Sequence, residues 1–551
     1  MVLPGPFNVA AWLVDRNLEE GRADNVAIEC GDERVTYRQL AERVNRLGNA
    51  LRALGMRIEE RILMILLDTP EFAYSFLGAI KAGIVAVPVN TLLKPPDYEY
   101  LLNDSRARVL IVSESLLPQV QAIPRARLRY LRDIIVVGNA PAGTHSLADL
   151  LAKASPELQA EPTSRDDAAF WLYSSGSTGF PKGCVHLHHD IVVASELYGQ
   201  GILGITARDR CFSVAKLFFA YGLGNGLYVP FSVGATAILW PGPPTPPNVY
   251  AVIERHRPTL FYSVPTNYVA LLAQRRQPPQ QTKTGFPPQR SKAGFVGDPG
   301  FAGGPGEGAD FDLSSIRNGV SAGESLPPAV FERFQQRFGV EILDGLGSTE
   351  LLHIVISNRR GAARPGSSGQ VVPGFEARIL DENNQPVAAG ETGSLVMRCD
   401  SACAYYWNQH EKSKQTIEGQ WIRTGDKYYQ DADGYFWYAG RSDDMLKVCG
   451  QWVSPVEIEA ALVEHAAVRE AAVIGREDAE RLVKPMAFVV LEPSASGDEK
   501  TVRELQDFVA TKLAPFKKPR WVEFVAELPK TATGKIQRFK LRQRMRQAHI
   551  G

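Results

Sequence analysis

The stretch YSSGSTGFPKG, residues 173–183, places four small hydroxyl side chains (Ser174, Ser175, Ser177 and Thr178), three glycines (Gly176, Gly179 and Gly183) and one lysine, Lys182, in eleven positions. Glycine lets a backbone approach an anion closely, hydroxyls donate to phosphate oxygens, and an ammonium adds a compact positive charge. The combination suits a polyphosphate, although small residues alone would equally suit a surface turn. A Walker A loop needs a second glycine directly before a lysine that is followed by Ser or Thr. Here Pro181 precedes Lys182 and Gly183 follows it, so the P-loop NTPase reading fails. The dinucleotide fingerprint fails too, because neither this loop nor YGLGNG completes Gly-x-Gly-x-x-Gly; Leu227 stands at the last position.

The loop needs a scaffold, and the surrounding pattern supplies one. VTYRQLAERVNRLGNALRALG has apolar residues at helical spacing, while RILMILL and GIVAVPVN read as buried strands around another helical stretch. LRDIIVVG, ATAILW, LFYSVP, GVEILDGLG and EARILD continue the alternation, which predicts an α/β fold with mainly parallel sheets. Residues 274–310, rich in Gly, Pro, Gln and charge, bury too little surface to offset their ordering entropy and read as a flexible insertion. From GRSDDMLKVCGQWVSPVEIEAALVEH onward the pattern becomes turn, hairpin and helix, then strand, strand, helix, strand and helix. That makes a second, smaller α/β unit, and 551 residues are too many for one ordinary core. The division expected is 1–442 and 443–551.

Composition excludes several classes of partner. The 61 basic and 61 acidic residues cancel, leaving no electrostatic footprint for nucleic acid or an anionic membrane. The most apolar region is interrupted by Asp68, Glu71 and Lys81, so no run of about 18 apolar residues is present to span a bilayer. The N-terminus lacks the basic start and apolar core of a secretory signal. Six scattered cysteines without a CxxC pair suit a reducing compartment, and a soluble cytoplasmic protein is expected.

Four further segments follow the loop in order: DGLGSTE at 344–350, WIRTGDKYY at 421–429, YAGRSDDMLKVCGQWVSPVEIE at 438–459 and LPKTATGKIQR at 528–538. Together the five resemble the acyl-adenylate-forming (AMP-binding) superfamily of acyl-CoA synthetases, peptide-synthetase adenylation domains and firefly luciferase. AKLFFAYGLGNGLYVPFSVGATAILWPG, FYSVPTNYVALLA and DGLGSTELLHIVISN look most like its benzoate-CoA ligase branch. The resemblance implies a large multi-subdomain N-terminal adenylate-forming domain and a small mobile C-terminal domain. It also implies ATP and coenzyme A as co-substrates with Mg2+, no tightly bound prosthetic group, and dimerisation.

Residue by residue, the resemblance assigns Ser174, Ser175, Gly176, Ser177, Thr178, Gly179 and Lys182 to the β and γ phosphates and the departing pyrophosphate. Thr349 would contact the α phosphate, and Glu350 would bind the magnesium, a role suited to a hard carboxylate ligand. The SAGES segment at 321–325, with Ala322, Gly323 and Glu324, would line the adenine, and Asp344 and Gly345 join the nucleotide site. Asp426 would accept from both ribose hydroxyls, with Arg441 as a second polar contact. Leu346 stands where the family often stacks a Tyr on the base. Lys535 matches the family's catalytic lysine, whose ammonium offsets charge developing between carboxylate and α phosphate. Asp443 sits at the hinge position, and Gly450 beside Trp452 would let the pantetheine thiol pass after the small domain turns. Ala220, Tyr221, Ala322, Gly347, His353 and Ile354 would surround the aryl ring, with a buried structural role competing for His353.

Two features stand apart. HLHHD, residues 186–190, lacks metal-ligand spacing, so zinc is not expected there. LRQRMRQ near the end reads as a solvated basic helix face. The function expected is aryl-CoA formation from benzoate or a hydroxybenzoate through acyl-AMP, in the breakdown of aromatic compounds. The alternatives are the same adenylation of a cinnamate or fatty acid, delivery to a carrier protein, and a non-catalytic nucleotide sensor.

Overall fold

A computed structural model of the chain describes residues 3–174, 181–276, 310–441, 444–448, 451–478, 482–530 and 536–548, with the backbone alone at 447, 451, 452 and 546–548. Most of the 274–310 insertion lies outside the described residues. The helical spacing near the N-terminus gives the helix Tyr37–Ala53, opened by a capping box in which the Gln39 N–H donates to the Thr36 hydroxyl and the Thr36 N–H donates to the Gln39 side chain. Its buried stripe of Leu40, Val44, Leu47 and Leu51 packs on the helix Pro70–Lys81.

Two large sheets carry the chain up to residue 371. The first has eight strands in the order Tyr405–Tyr406, Lys182–Leu187, Ala168–Ser174, Val85–Pro88, Arg61–Ile65, Val109–Ser113, Asp133–Val137 and His145–Ser146. It is parallel from Ala168–Ser174 outward, and antiparallel where Lys182–Leu187 folds back. The second has nine strands, with Ile342–Gly347, Asn318–Ala322, Leu260–Ser263, Arg210–Ser213, Thr236–Leu239 and Val26–Cys30 running parallel across its centre. Strands buried on both faces read as continuous apolar runs, which is why RILMI and TAIL carry no polar alternation. A single apolar core runs between the two sheets, from Ile28 and Ile62 to Phe170, Tyr262 and Leu343.

One expectation is corrected. EARILD belongs to neither parallel sheet; Glu376–Leu380 pairs antiparallel with Gly393–Arg398, in a five-stranded sheet that continues through Trp421–Gln430 to Phe436–Arg441. Its exposed Glu376 and Arg378 alternate with more buried neighbours, the period-2 signature of a half-solvated antiparallel strand.

The C-terminal part matches the expected order: hairpin Leu446–Val448 with Gln451–Val453, helix Pro455–Val463, strands Val468–Glu477 and Val483–Leu491, helix Glu499–Lys512, strand Trp521–Phe524 and helix Arg538–Ala548. Alternate residues of its three-stranded sheet enter two cores. Val473, Ala487 and Val489 pack with Leu505 and Val509, while Ile474, Met486 and Phe488 pack with Leu528 and Leu541.

Candidate active site

The glycine-rich loop joins two antiparallel strands whose last ladder pair is Ser174 with Lys182. Ser175, Gly176, Ser177, Thr178 and Gly179 lie outside the described residues; the loop's stem does not. The Tyr100 hydroxyl donates to the Pro181 carbonyl at 3.1 Å, and the Tyr173 hydroxyl donates to Asp104 at 2.7 Å. Lys182 Nζ stands 4.5 Å above the centre of the Tyr406 ring. The ammonium is therefore held at the stem over an aromatic face.

The STE segment comes from the other large sheet. Ile342–Gly347 turns back into Ile354–Ser357, and Thr349, Glu350 and Leu351 form the tip of this hairpin. The turn is tight at both ends. A Cβ on Gly347 would collide with the His353 carbonyl, and Leu352 adopts φ +69°, a left-handed conformation that costs a non-glycine residue energy. Three successive carbonyls hold it in place. Thr349 O faces His186 Nε2 at 2.9 Å, Glu350 O accepts the Cys403 N–H at 2.7 Å, and Leu351 O accepts the Ser401 hydroxyl at 3.0 Å.

Glu350 is where the two sheets meet. Its Oε1 accepts the Ser174 hydroxyl at 3.1 Å and the Tyr406 hydroxyl at 2.8 Å. Burial alone would raise this carboxyl, but the bond from Tyr406, a backbone N–H, the charge of Lys182 and Ser174 hold it below the usual carboxylate range. An ionised carboxylate beside a lysine and the stem of the glycine-rich loop is a hard, singly placed oxygen donor. That fits Mg2+, which is bound by one or two carboxylates and completed by phosphate oxygens and water. Among the described residues no group of three or more His, Cys, Asp or Glu could form an all-protein metal cage.

The residues expected at the nucleotide lie in two places, the first beside this turn. Ser321 and Ala322 pair in register with Asp344 and Gly345, so SAGES and DGLG are adjacent strand ends. Gly323, just beyond, has φ +95°, and burial pushes the Asp344 carboxyl up to about 8. Leu346 occupies the following position, half-buried against the main core. Asp426 and Arg441 are paired across the ladder of the five-stranded sheet, with Arg441 Nη1 3.1 Å from Asp426 Oδ1.

His353 and Ile354 leave the same turn on its inner side. The His353 ring lies among three tyrosines, with centroids 4.9 Å from Tyr198, 6.0 Å from Tyr228 and 6.2 Å from Tyr221. Burial pushes His353 down to about 3, so its imidazole is neutral near pH 7. Tyr221 directs its hydroxyl into backbone carbonyls of Ser263 and Val320, 3.2 Å each, leaving its ring as a wall. Ala220 opens the short helix Ala220–Leu223 that carries Tyr221. The tyrosines Tyr198 and Tyr228 and the contact glycine Gly224 are absent from the sequence-derived set. A Cβ on Gly224 would stand 2.5 Å from His353 Nε2 and 2.7 Å from the Tyr228 hydroxyl.

Lys535, Asp443 and Gly450 lie outside the described residues, as does the side chain of Trp452, whose backbone pairs with Lys447 in the hairpin. The residue after Lys535 is described: the Ile536 N–H donates to Glu324 Oε1 at 2.9 Å, joining the small unit to the SAGES segment. Two residues on, Arg538 makes a forked contact with Glu459 at 2.7–3.1 Å and reaches Asp444 at 3.5 Å. The basic C-terminal helix is accordingly not just a solvated face, because Arg542 also binds Asp444 at 2.7 Å and Arg544 binds Glu523 at 2.6 Å. The histidines of HLHHD are separated in role. His188 Nδ1 accepts the Val9 N–H at 3.0 Å, His189 bonds to the Arg165 carbonyl at 3.0 Å, and His186 turns inward to Asp190 and Thr349. Of the cysteines, Cys184, Cys211, Cys399 and Cys403 are buried and Cys30 is partly so, all as free thiols. Among the described residues no helix is long and apolar enough to cross a membrane.

A hydrogen-bonded carboxylate and a lysine at one end of a short turn, and a neutral histidine packed among tyrosine rings at the other, suit a phosphate and an aryl acid held side by side. Comparison with known proteins shows the family to which the chain belongs. Residues 14–407 match the family model "AMP-binding enzyme" and residues 457–535 match "AMP-binding enzyme C-terminal domain". The chain is 48% identical to a benzoate–CoA ligase of Thauera aromatica, over 98% of this chain and 96% of that one. It is 43% identical to a 4-hydroxybenzoate–CoA/benzoate–CoA ligase of Rhodopseudomonas palustris, over 98% and 94%. Among solved structures, an anthranilate CoA ligase in complex with anthranoyl-AMP superposes with a TM-score of 0.91 at 44% identity, covering 100% of this chain and 99% of that one.

Proposed function

The chain belongs to the AMP-binding enzyme family, and from that premise we propose that it is an AMP-forming aryl carboxylate–CoA ligase. Benzoate or a hydroxybenzoate is the acid, ATP the activating nucleotide and coenzyme A the acceptor. The observation that carries the reading is the turn Thr349–Ile354, which joins the hydrogen-bonded Glu350 to the aromatic recess around His353 within four residues.

A carboxylate acylates poorly because its leaving group would be oxide, so the acid must first be activated. In the first half-reaction a carboxylate oxygen attacks the α phosphorus of ATP; the P–O bond to pyrophosphate breaks and acyl-AMP forms. In the second, the CoA thiol attacks the acyl carbonyl, gives up its proton, and AMP leaves with the bonding pair. Bound magnesium supplies charge neutralisation on the phosphate oxygens. The protein's task is positioning and electrostatics.

In this reading Ser174 and Lys182, with Ser175 to Gly179, take the β and γ phosphates. Thr349 takes the α phosphate, and Glu350, kept ionised by Tyr406 and Ser174, holds the metal. Ala322, Gly323, Glu324, Asp344 and Gly345 take the base; Asp426 and Arg441 take the ribose. Lys535 bridges carboxylate and α phosphate, and the Ile536–Glu324 bond supports a small domain, residues 443–551, set for adenylation. Rotation about Asp443 would then bring Gly450 and Trp452 to the thiol. Ala220, Tyr221, Gly347, His353 and Ile354 enclose the ring; a neutral, buried His353 favours an uncharged aryl group over a second carboxylate. A cytoplasmic homodimer is the expected form.

The test is incubation of the purified protein with ATP, magnesium, CoA and, separately, benzoate, the three hydroxybenzoates, the aminobenzoates, cinnamate and octanoate. AMP and thioester are measured together. Matching rates of both with one benzoate are expected. AMP without thioester would move the acceptor from CoA to another thiol, and absence of pyrophosphate exchange with every acid would replace the enzyme by a nucleotide sensor.

A further inference from the structure

His186 takes no part in the reaction as described, yet its side chain is fully buried together with that of Asp190. Its Nδ1 lies 2.8 Å from Asp190 Oδ2 and its Nε2 lies 2.9 Å from the Thr349 carbonyl, while its ring stacks on Phe170 at 5.1 Å and 16°. A carbonyl oxygen only accepts, so Nε2 carries a hydrogen whichever partner holds the proton shared with Asp190. Asp190 is fixed in turn. Its Oδ2 accepts the Leu187 N–H at 3.1 Å, and its Oδ1 lies 3.2 Å from His189 Nε2.

A buried histidine–carboxylate pair is a poor way to gain stability, since apolar residues of similar volume usually serve as well. Its placement offers a better reason. His186 sits four residues after Lys182 on the strand that leaves the glycine-rich loop, in the eight-stranded sheet. Thr349 belongs to a hairpin of the nine-stranded sheet. The bond between them therefore ties the lysine strand to the backbone of the turn that bears Thr349 and Glu350, where Ser174 reaches only the Glu350 side chain.

We propose that His186 is a positioning residue for adenylation: oriented by Asp190, its Nε2–H holds the Thr349 carbonyl and so fixes Thr349 and Glu350 relative to Lys182. The proposal rests on the assignment of Thr349 and Glu350 to the α phosphate and the metal. It differs from a packing role in requiring a donor at one point, not a ring.

Removing His186 alone would strand a buried Asp190, so the test compares two double variants, H186Q/D190N and H186L/D190N. Both lack the histidine–carboxylate pair; only the glutamine can still donate to Thr349. ATP–pyrophosphate exchange is measured with benzoate, and thermal melting serves as the control for folding. The glutamine variant should retain kcat within about fivefold of the wild type. The leucine variant should lose about 10²-fold in kcat with the KM for the acid unchanged, the scale expected when a reacting group is displaced by about 1 Å. Equal kcat values in the two variants would overturn the proposal. Histidine-15N spectra of the wild-type protein supply a second reading that needs no folded variant: magnesium-ATP with benzoate should shift the His186 Nε2–H resonance, and an unmoved resonance would also overturn it. Absence of exchange in the wild type would instead count against the assignment of Thr349 and Glu350.

Discussion

Replacing Tyr406 by phenylalanine removes one atom from the site and little else. The hydroxyl donates to Glu350 Oε1 at 2.8 Å, while the ring beneath Lys182, 4.5 Å away, is retained. A hydrogen bond to a charged group contributes about 1.5–3 kcal/mol, which corresponds to about 10- to 100-fold in an equilibrium. Residues behind a metal ligand have effects of the same size on metal affinity. Ser174 still bonds the same oxygen at 3.1 Å, so the lower half of that range is expected. The assay is a magnesium titration of ATP–pyrophosphate exchange at fixed ATP and benzoate, in which the half-saturating magnesium should rise by about tenfold. The direction with pH is fixed as well. Burial raises the Glu350 carboxyl, Tyr406 and Ser174 lower it, and the net result lies below the ordinary range. Its ionised form therefore supports the fold and the site above the unfolded pKa, and this support is lost as pH falls through the folded value. Losing one donor raises that folded value, so the acid limb of the exchange profile moves to higher pH. An unchanged magnesium requirement and acid limb in a folded variant would refute the claim that Tyr406 keeps Glu350 ionised.

Other substitutions separate the remaining roles. Lys535→Ala should abolish adenylation far more than thioester formation from preformed acyl-AMP; equal loss in both half-reactions would refute that division. Gly224→Ala places a methyl group against His353 and the Tyr228 hydroxyl, so the KM for benzoate should rise at least tenfold while the KM for ATP stays put, as judged by initial rates. Arg538→Met leaves Glu459 without its forked partner in a largely buried place, a loss of about 3–5 kcal/mol that should appear as an earlier denaturant transition of the C-terminal unit. Asp344 is raised by burial to about 8, so its neutral form supports the fold below the unfolded value of about 4, and that support fades as pH climbs to 8. Asp344→Asn should consequently melt higher than the wild type at pH 8 and nearly with it at pH 4; a constant gap across that range would show that Asp344 does not titrate as a buried acid.

Residues singled out by type and spacing are legible in the sequence, and those that meet them only through distant contacts are not. Ser174, Lys182, Thr349, Glu350, Asp426 and Arg441 sit in short segments whose order identifies a family, and these segments also set the alternation of strands and helices. Tyr406 lies 56 residues from Glu350 in CAYYWNQ, a stretch with nothing to single out one tyrosine, and His186 lies 163 residues from Thr349. Such contacts arise from strand pairing between distant segments: Tyr406 reaches Glu350 because Tyr405–Tyr406 joins the edge of the sheet that holds Ser174. EARILD departs from its expected sheet for a related reason. Its apolar Ile379 and Leu380 resemble a parallel core strand, and only its partner Gly393–Arg398 shows that one face meets solvent.

The tyrosine ring around His353 and the hydrogen-bonded Glu350 are also less independent than their separate motifs suggest. Thr349 to Leu351 are held by three donors from two distant segments, His186 in one and Ser401 with Cys403 in the other, Leu352 adopts φ +69°, and His353 follows directly into the ring of tyrosines. A turn with its carbonyls pinned and one residue in a strained conformation has little freedom to absorb a shift at either end. A change that enlarges the recess by moving His353 must therefore move Leu352 or break one of the three carbonyl bonds, and both lead back to Glu350. Substitutions at Tyr198, Tyr228 or Gly224, which meet the His353 side chain but none of the three pinned carbonyls, should alter which acid is used through KM. Substitutions at His353 that need backbone movement should lower kcat for every acid, in proportion to their effect on the magnesium requirement. Parallel measurement of kcat and half-saturating magnesium across such a series tests the linkage directly, and variants that lose kcat with an unaltered magnesium requirement would show that the two ends of the turn act separately.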